Sequence, residues 1–417
     1  MNGVDALIVG GGPAGLTAAL ALRQRGARVT VADAGRPPID KACGEGLMPD
    51  SVRELRRLGV HLDAVDGGIF RGIRFVSHGQ GKASRAAVRR VKIDEEIEAQ
   101  AEARFPAIGE EGERSVFALG PQDGLGVKRP LLHERLVRPA EDAGVELRWN
   151  TLVRLLPYGT VRVAGEDCHY GCLIGADGQG SRLRRWAGLD AGQVLSSRFG
   201  FRQHYRVRPW NDTVEVHWCR RGQAYVTPVG ADEVCVATIA RDPHCRVEAL
   251  LEEMPWLRRK LAGTTALLRT DRERGALTTT RRLRRVATGR VALVGDASGS
   301  ADAITGEGMA MAFRQALLLA DALAKLPVDR ALARYNREHP RLLRLPQRMA
   351  RVMLLMDRWP GFRSRTIRML AAEPHLFARM LGVHVGAESL EHFVATRGPE
   401  LAWRLVASAI ILPAEMA

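Results

Sequence analysis

The sequence predicts an α/β fold in which a discontinuous parallel-sheet domain is interlocked with an antiparallel-sheet domain and followed by C-terminal helices. Three observations support this prediction. Residues 5–33 contain a strand-length apolar run, a helical apolar repeat and a second apolar run, which together indicate a βαβ unit. Residues 190–285 contain short stretches in which apolar and polar side chains alternate, as they do in antiparallel strands. From about residue 329 the apolar positions follow a helical period among many arginines.

The βαβ unit carries a glycine-rich turn between its first strand and its helix. Gly10, Gly12 and Gly15 have G-x-G-x-x-G spacing. The first permits a tight turn, the second lets a pyrophosphate approach the backbone, and the third lets helix and strand pack closely. The free N–H groups of the helix N-terminus attract phosphate. Asp33 ends the second strand, where its carboxylate can accept both hydrogen bonds of a ribose diol. The unit predicts a dinucleotide site, and a glycine turn with only a structural role is the alternative.

The segment after the second strand offers further candidates for ligand contacts. Arg36 stands in a proline turn, from which it can reach a phosphate or an adenosine, and a solvent-facing arginine is the alternative. The loop that follows contains Lys41, Gly44 and Glu45 and leads into a helix. A charged, glycine-containing loop before a helix suits close approach to a planar ligand, and an ordinary connecting loop is the alternative.

Two more strand-to-helix turns follow the same logic. Asp177 follows a buried-type strand in residues 172–188, and Asp296 follows another in residues 289–323. The latter stretch continues through the turn at residues 306–308 into a long helix. The N-terminus of that helix is another site for negative charge.

The chain between these motifs changes character. Residues 79–115 are highly charged and have poor apolar spacing, so we expect an exposed helix or a disordered insertion rather than a basic contact surface. Residues 125–144 resume helical spacing and end at a glycine, which predicts a helix. Arg129, near the start of that helix, can reach a bound anion, and a salt bridge is the alternative.

Composition and charge limit the classes of protein. A chain of 417 residues, 46% of them hydrophobic, fits two interlocked domains with a sizeable core. The formal net charge of +15 favours anionic partners such as phosphates or acidic lipids, although a GC-rich genome would give the same arginine excess. No nucleic-acid motif accompanies this charge, so we do not expect nucleic-acid binding.

Targeting signals and metal-ligand patterns are not evident in the sequence. We expect no signal peptide, and no uncharged apolar run reaches the roughly 20 residues of a membrane span. The sequence therefore predicts a cytoplasmic protein, with peripheral membrane contact through the basic C-terminal helices as a further option. The six cysteines form no disulfide framework. Cys168 and Cys172 flank His169 without a second ligand pair, so we predict no metal site.

Three motifs together carry a family resemblance. GGGPAG at 10–15, GADGQGSRLRR at 175–185 and GRVALVGDASG at 289–299 resemble the single-component (group A type) FAD monooxygenases and the geranylgeranyl reductases. The resemblance covers most of residues 1–325 and implies a GR2-type Rossmann-like domain with non-covalent FAD. The resemblance implies FAD contacts at Gly10, Gly12, Gly15, Asp33, Arg129, Asp177, Asp296, Gly306, Gly308 and Met309. Arg36 and Gly44, the loop candidates named above, complete the set of predicted FAD contacts.

The predicted domain organisation follows the order of these motifs. We expect a discontinuous FAD-binding domain, a substrate domain with a charged insertion near 79–115, and a C-terminal helical region. The FAD-binding domain is predicted at 1–70, 125–188 and 286–325, the substrate domain at 71–124 and 189–285, and the C-terminal helical region at 326–417.

The chain departs from parts of the family pattern. Residues 303–309 lack the proline and asparagine of the PxxGxGxN loop of aromatic hydroxylases, and they look more like the reductase and halogenase branches. CGEGLMP at 43–49 does so as well. None of the seven tryptophans stands in the Trp-x-Trp-x-Ile-Pro motif of flavin halogenases, so halogenation is disfavoured.

Three functional hypotheses follow from the resemblance. The first is a monooxygenase that uses O2 and transiently bound NAD(P)H, and hydroxylates or epoxidises an apolar aromatic or polyketide-like small molecule through a flavin C4a-hydroperoxide. The second is a reductase that saturates prenyl double bonds, which residues 303–309 and the basic apolar C-terminal helices favour. The third is a non-catalytic flavin-binding protein.

Two regions of the chain supply the predicted catalytic residues. Glu45 and Lys41 are the candidates beside the reacting edge of the flavin. Tyr225, in the predicted antiparallel sheet, is the candidate that orients the substrate, and a buried tyrosine with a packing role is the alternative.

Overall fold

The computed structural model describes residues 4–78, 114–156, 160–262 and 269–398. The charged segment predicted at 79–115 therefore lies outside the described ranges, apart from its last two residues.

The strands of the described ranges, in chain order, are β1 (Val4–Val9), β2 (Val29–Ala32), β3 (Gly46–Leu47), β4 (Gly68–Ser77), β5 (Arg114–Gly126), β6 (Glu146–Arg148), β7 (Val153–Leu155), β8 (Val161–Val163), β9 (Glu166–Asp167), β10 (Tyr170–Gly175), β11 (Gly192–Tyr205), β12 (Thr213–Trp218), β13 (Gly222–Pro228), β14 (Val234–Ala240), β15 (Arg274–Leu283), β16 (Ala287–Thr288) and β17 (Val291–Leu293). The α-helices are α1 (Pro13–Arg23), α2 (Pro49–Arg57), α3 (Arg129–Asp142), α4 (Arg182–Trp186), α5 (Val247–Leu251), α6 (Pro255–Leu261), α7 (Gly308–Lys325), α8 (Val328–Arg358), α9 (Pro360–Ala372) and α10 (Pro374–His384), with 3₁₀ helices at Gly295–Ser298 and Ala303–Thr305.

The first sheet has the strand order β16-β17-β10-β1-β2-β6. All neighbours in it pair in parallel except β16 and β17. Leu7 and Ile8 of the central strand β1 are fully buried, as expected for a parallel strand that is covered on both faces. Helix α1 follows β1, α4 follows β10, and the 3₁₀ helix Gly295–Ser298 follows β17. The three sequence motifs therefore meet at the carboxyl ends of three adjacent strands, where α/β proteins bind their ligands.

The second sheet has the strand order β15-β11-β14-β13-β12-β4-β5-β3. The predicted antiparallel pairing is present throughout except between β4 and β12, which are parallel. The chain passes through the first sheet between these two strands, so no hairpin forces them to run in opposite directions. A small third sheet contains β7, β8 and β9.

The C-terminal helices, whose presence the sequence predicts, cover one face of the second sheet. Val216 and Trp218 of β12 pack against Met353 of α8, Ile367 of α9 and Phe377 of α10. Because these helices cover it, this face of the sheet forms one wall of an internal cavity. Within the described ranges, no helix combines the length and the apolarity that crossing a membrane requires.

Candidate active site

The three glycines of the first motif have different steric surroundings. Gly10 has φ +112°, and a Cβ there would lie 2.4 Å from the carbonyl oxygen of Ala176. A Cβ on Gly15 would lie 1.9 Å from the carbonyl oxygen of Gly10. Gly12 differs, because its φ is −73° and a Cβ there would meet only the Arg129 guanidinium, at 3.9 Å. The chain itself does not require glycine at position 12, which instead leaves open space in front of the α1 N-terminus.

Two aspartates stand at the ends of the two strands that flank β1. Asp33, after β2, accepts hydrogen bonds from the backbone N–H groups of Gly11 and Gly35, each at 2.6 Å. Asp177, after β10, accepts two from the first turn of α4, at 2.7 and 3.1 Å. Oδ1 of Asp177 has no hydrogen-bond partner among the described residues. The backbone contacts fix both carboxylates and leave lone pairs for a ligand.

Arg129 and Asp296 bring opposite charges to the same region. The Arg129 guanidinium is buried, its Nη1 lies 3.6 Å from Sδ of Met309, and its Nε has no hydrogen-bond partner among the described residues. Asp296 follows β17 and pairs with Lys41 through an Nζ–Oδ2 contact of 3.0 Å. Gly306 has φ +69° and an open surrounding just before the N-terminus of α7.

One continuous cavity of about 680 Å³ joins these groups to the second sheet. Its first end contains every predicted cofactor contact except Gly15, which packs inside the turn, and Arg36, which is exposed. Lys41, Glu45 and Tyr225 also line it. We call its other end the apolar chamber, which is formed by Ile73, Phe75, Val214, Val216, Met349, Val352, Met353, Met356, Leu370, Phe377, Met380 and Leu381.

We call the first end of the cavity, which contains the predicted cofactor contacts, the cradle. A comparison of the sequence with known families identifies its ligand. Residues 3–342 match the family described as FAD binding domain. The chain belongs to this family. It is an FAD-dependent oxidoreductase, and the family resemblance inferred from the three motifs is confirmed.

Curated relatives include two kinds of enzyme. The chain is 28% identical over 350 residues to the probable 2-heptyl-3-hydroxy-4(1H)-quinolone synthase of Rhodococcus erythropolis, and the match covers 80% of this chain and 83% of that protein. It is 52% identical over 56 residues to the menaquinone reductase of Mycolicibacterium smegmatis, covering 13% of this chain and 14% of that protein. The match to the menaquinone reductase of Mycobacterium tuberculosis has 32% identity over 145 residues and covers 30% and 36%, respectively. The chain thus matches only a minor part of either reductase.

Solved structures share the fold across most of the chain. A flavoprotein/dehydrogenase from Cytophaga hutchinsonii superposes with a TM-score of 0.76 at 16% identity, covering 98% of this chain and 99% of that one. PqsL of Pseudomonas aeruginosa, in complex with 2-aminobenzoylacetate, superposes with a TM-score of 0.62 at 22% identity, covering 85% and 97%. At these identities the likeness shows the fold alone.

The described residues fit FAD. Open space at Gly12, Gly178 and Gly308 lets a ligand approach the backbone closely. The unpartnered Nε of Arg129 and Oδ1 of Asp177 supply a donor and an acceptor on the wall of the same cavity. The FAD binding predicted from the sequence is confirmed, and the role of each individual contact residue remains a prediction.

Glu45 is the hub of a buried ionic network. Its side chain is inaccessible to solvent, which excludes the alternative that it is an exposed loop charge. Oε1 accepts hydrogen bonds from the backbone N–H of Arg129 at 2.8 Å and from Nη1 of Arg202 at 2.7 Å. Oε2 lies 2.6 Å from Nε2 of His204, whose Nδ1 lies 2.8 Å from Asp271. The network fixes the loop that passes beside the cavity.

Charge balance explains why this network holds together. Burial alone would lower the pKa of His204, but the hydrogen bond to Glu45 and the neighbouring carboxylates raise it above the ordinary value. Glu45, His204 and Cys235 offer ligand atoms within 4.8 Å of one another. The carboxylate oxygens, however, are engaged by the guanidinium of Arg202 and by the imidazole, so cations of the chain itself occupy the position of a metal ion.

Tyr225 connects the substrate sheet to the turn before α7. Its hydroxyl donates a hydrogen bond of 2.7 Å to the carbonyl of Ile304, and burial raises its pKa. The tyrosine therefore holds the 3₁₀ helix Ala303–Thr305 against β13, and its lone pairs remain on the cavity wall.

Sequence reasoning missed the partners of Glu45. Arg202 and His204 lie two residues apart on β11 and therefore face the same side of the sheet, with the polar Gln203 between them on the other side. Both are nearly fully buried, which is unusual for side chains that carry a charge. Their spacing two residues apart was the available signal, but only the fold shows that they face a loop about 160 residues away.

Proposed function

We propose that this enzyme is a monooxygenase that uses NAD(P)H and O2 to hydroxylate or epoxidise an apolar aromatic or polyketide-like small molecule. The observation that carries the proposal is the continuity of the FAD cradle with the apolar chamber. A substrate in that chamber would be shielded from water and would lie next to the flavin end of the cavity.

The chamber suits a molecule with a ring system and little charge. Four methionines line it, namely Met349, Met353, Met356 and Met380. Methionine side chains adapt to irregular apolar shapes, so such a wall accepts a flexible tail as well as a ring. The names of two relatives, a heptyl quinolone synthase and a menaquinone reductase, are consistent with a ring that bears an apolar chain.

Residues of the cradle have distinct parts in this proposal. FAD, when bound, supplies the two-electron chemistry and the reaction with oxygen. The N–H groups at the α1 N-terminus and Arg129 would hold its phosphates, and Asp33 its ribose. The N-terminus of α7 presents free N–H groups and a positive dipole end, which stabilise negative charge on the ring. Glu45 acts as a positioning residue, because both its oxygens are already engaged by the chain.

The reductant is proposed to bind only transiently. The sequence contains no second G-x-G-x-x-G unit for a pyridine nucleotide. Lys41, whose side chain is 43% exposed beside Asp296, is a candidate to contact an incoming nucleotide phosphate. Non-covalent attachment of FAD belongs to the same proposal.

A reductase is the second candidate function. The 52% identity to a menaquinone reductase over 56 residues favours it, and the apolar chamber would accept a prenyl chain as readily as an aromatic ring. In that reaction two electrons pass from the flavin to a carbon–carbon double bond, and the product gains two hydrogens and no oxygen.

Isotope labelling separates the two reactions. The FAD-loaded protein is incubated with NADH or NADPH under ¹⁸O2, with 2-heptyl-4(1H)-quinolone and a prenylated naphthoquinone as alternative substrates. The monooxygenase proposal predicts a product with one ¹⁸O atom. A product heavier by two hydrogens and free of ¹⁸O would overturn it in favour of the reductase.

We also propose that the enzyme works in the cytoplasm at a membrane surface. Val352 and Leu355 on α8 are each 40% exposed, and Trp359 directly after α8 is 55% exposed. The exposed Arg351 and Arg358 lie among them. A basic helix face with apolar side chains suits an anionic bilayer, and Val352 also lines the cavity. Sedimentation with phosphatidylglycerol vesicles, but not with phosphatidylcholine vesicles, is expected. Wild-type sedimentation by Trp359→Ala would contradict the assignment of this face.

A further inference from the structure

We propose that His384, held by Glu307, is the polar anchor of the apolar chamber and binds an oxygen atom on the ring of the substrate. This inference rests on the proposed function and specifies its substrate class. The substrate would be a largely apolar molecule whose ring carries a hydroxyl or a carbonyl group.

His384 stands out among the residues that the C-terminal helices contribute to the cavity. Of those within the described ranges, it is the one titratable side chain, and Thr366 is the one other polar side chain. The Thr366 hydroxyl already donates to the carbonyl of Phe362 at 3.0 Å. His384 is 8% exposed, and its Nδ1 has no hydrogen-bond partner among the described residues. A buried imidazole nitrogen without a hydrogen-bond partner is unusual in a folded protein and calls for a functional explanation.

Glu307 gives the imidazole its orientation. It stands between Gly306 and Gly308, which both line the cavity, and Oε1 lies 3.8 Å from Nδ1 of His384. The Glu307 side chain is nearly inaccessible, and Oε2 has no hydrogen-bond partner in the described ranges. Burial raises the pKa of Glu307, against the opposing charges of His384 and Arg314. The pair therefore places polar atoms without hydrogen-bond partners beside the apolar chamber.

The geometry assigns different tasks to the two ring nitrogens. Nδ1 lies 3.8 Å from Oε1 of Glu307 and His384 lines the cavity, so we assign Nε2 to the bound molecule. A carboxylate beside Nδ1 favours the tautomer with hydrogen on Nδ1, as it does in other carboxylate–histidine pairs. Nε2 is then an acceptor for a ring hydroxyl, and after taking a proton it becomes a donor to a ring carbonyl.

The charged residue Arg314 near Glu307 and His384 is already engaged elsewhere. Arg314, further along α7, forms an ion pair with Asp50 of α2. That ion pair gives the guanidinium a partner other than Glu307.

A pair of ligands that differ by one oxygen tests the anchor. 1-Naphthol and naphthalene are titrated separately into the FAD-loaded protein, and binding is followed by the change in flavin absorbance. The wild type should bind 1-naphthol at least about tenfold more tightly than naphthalene, the effect of roughly one buried hydrogen bond. In His384→Ala the two dissociation constants should agree within about twofold, and Glu307→Gln should give an intermediate ratio.

His375→Gln is the matched control. His375 lies on the same helix, and its side chain is 47% exposed. This variant should keep the wild-type ratio. A wild-type ratio in His384→Ala overturns the anchor while leaving the proposed function intact. Failure of both ligands to bind the wild type would count against the aromatic chamber itself, and so against the anchor and the proposed function together.

Discussion

Gly12→Ala separates the needs of the ligand from the needs of the chain. The added methyl group would meet only Nη2 of Arg129, at 3.9 Å, which is an ordinary van der Waals contact. Gly12 has φ −73° and ψ 178°, a conformation that alanine adopts without strain. We therefore expect the FAD-free variant to be as stable as the wild type, or more stable by up to about 1 kcal/mol, because alanine restricts the unfolded chain.

The same methyl group stands where the phosphates of FAD would approach the α1 N-terminus. Displacing a phosphate there lengthens one or two charged hydrogen bonds, each with a net value of about 1.5–3 kcal/mol. Loss of one such bond raises the dissociation constant for FAD by about 10- to 100-fold. At a fixed FAD concentration well above the wild-type constant, a hundredfold weakening removes about 2.7 kcal/mol of ligand-induced stabilisation.

Two measurements check this prediction. Flavin fluorescence quenching on titration into the FAD-free protein gives the dissociation constant, and circular dichroism gives the melting temperature without and with FAD. Gly180→Ala is the matched control, because Gly180 is exposed, lies outside the cavity lining and has no atoms near its added Cβ. Gly10→Ala is the opposite control and should fail to fold, since its methyl group collides with the backbone of Ala176. Wild-type FAD affinity in Gly12→Ala, or a large loss of stability without FAD, would refute the reasoning.

Three further predictions concern single side chains. Asp296→Ala removes a half-exposed partner of Lys41, so stability should change by less than about 1 kcal/mol while FAD affinity falls at least about tenfold; unchanged affinity on titration would remove Asp296 from the site. Glu45→Gln removes the buried carboxylate charge that contacts both Arg202 and His204, although Arg202 keeps its ion pairs with Asp40 and Asp271. Urea unfolding should show a loss of about 3 kcal/mol, whereas Lys41→Ala should be near neutral; near-neutral results for both would contradict the network. Burial lowers the pKa of His339 from 6.5 to about 4, so as the pH falls through this window the unfolded chain gains a proton that the folded protein does not take up. Stability should then fall by up to about 3 kcal/mol between pH 6.5 and 4, and His339→Gln should show a smaller fall in urea unfolding than the wild type.

Local pattern was sufficient for the elements that form the cradle. The βαβ unit of residues 5–33 is encoded by a change of apolar period within one short stretch, and its strands and helix are present. The turns after β10 and β17 were predicted for the same reason. Very short strands such as β3 and β9, with two residues each, carry no periodic signal and depend on pairing with distant partners.

Long-range contacts set the limits of the sequence prediction. Glu45 was expected as a charged residue of a loop beside the flavin. Its burial against Arg202 and His204 was not expected, because these contacts link positions more than 150 residues apart. The apolar chamber likewise combines strands of the second sheet with helices α8 to α10. No local pattern indicates which methionines share a wall.

The central claim is that a single cavity brings the flavin ring against the apolar chamber. A crystal structure of the FAD-loaded protein, soaked with 1-naphthol, tests it most directly. We predict that the flavin ring lies between the loop of Gly44 to Gly46 and the turn of Gly306 to Gly308, with the naphthol in the apolar chamber and its oxygen at Nε2 of His384. A ring that lies outside this cavity, or a naphthol that binds away from the flavin, would contradict it.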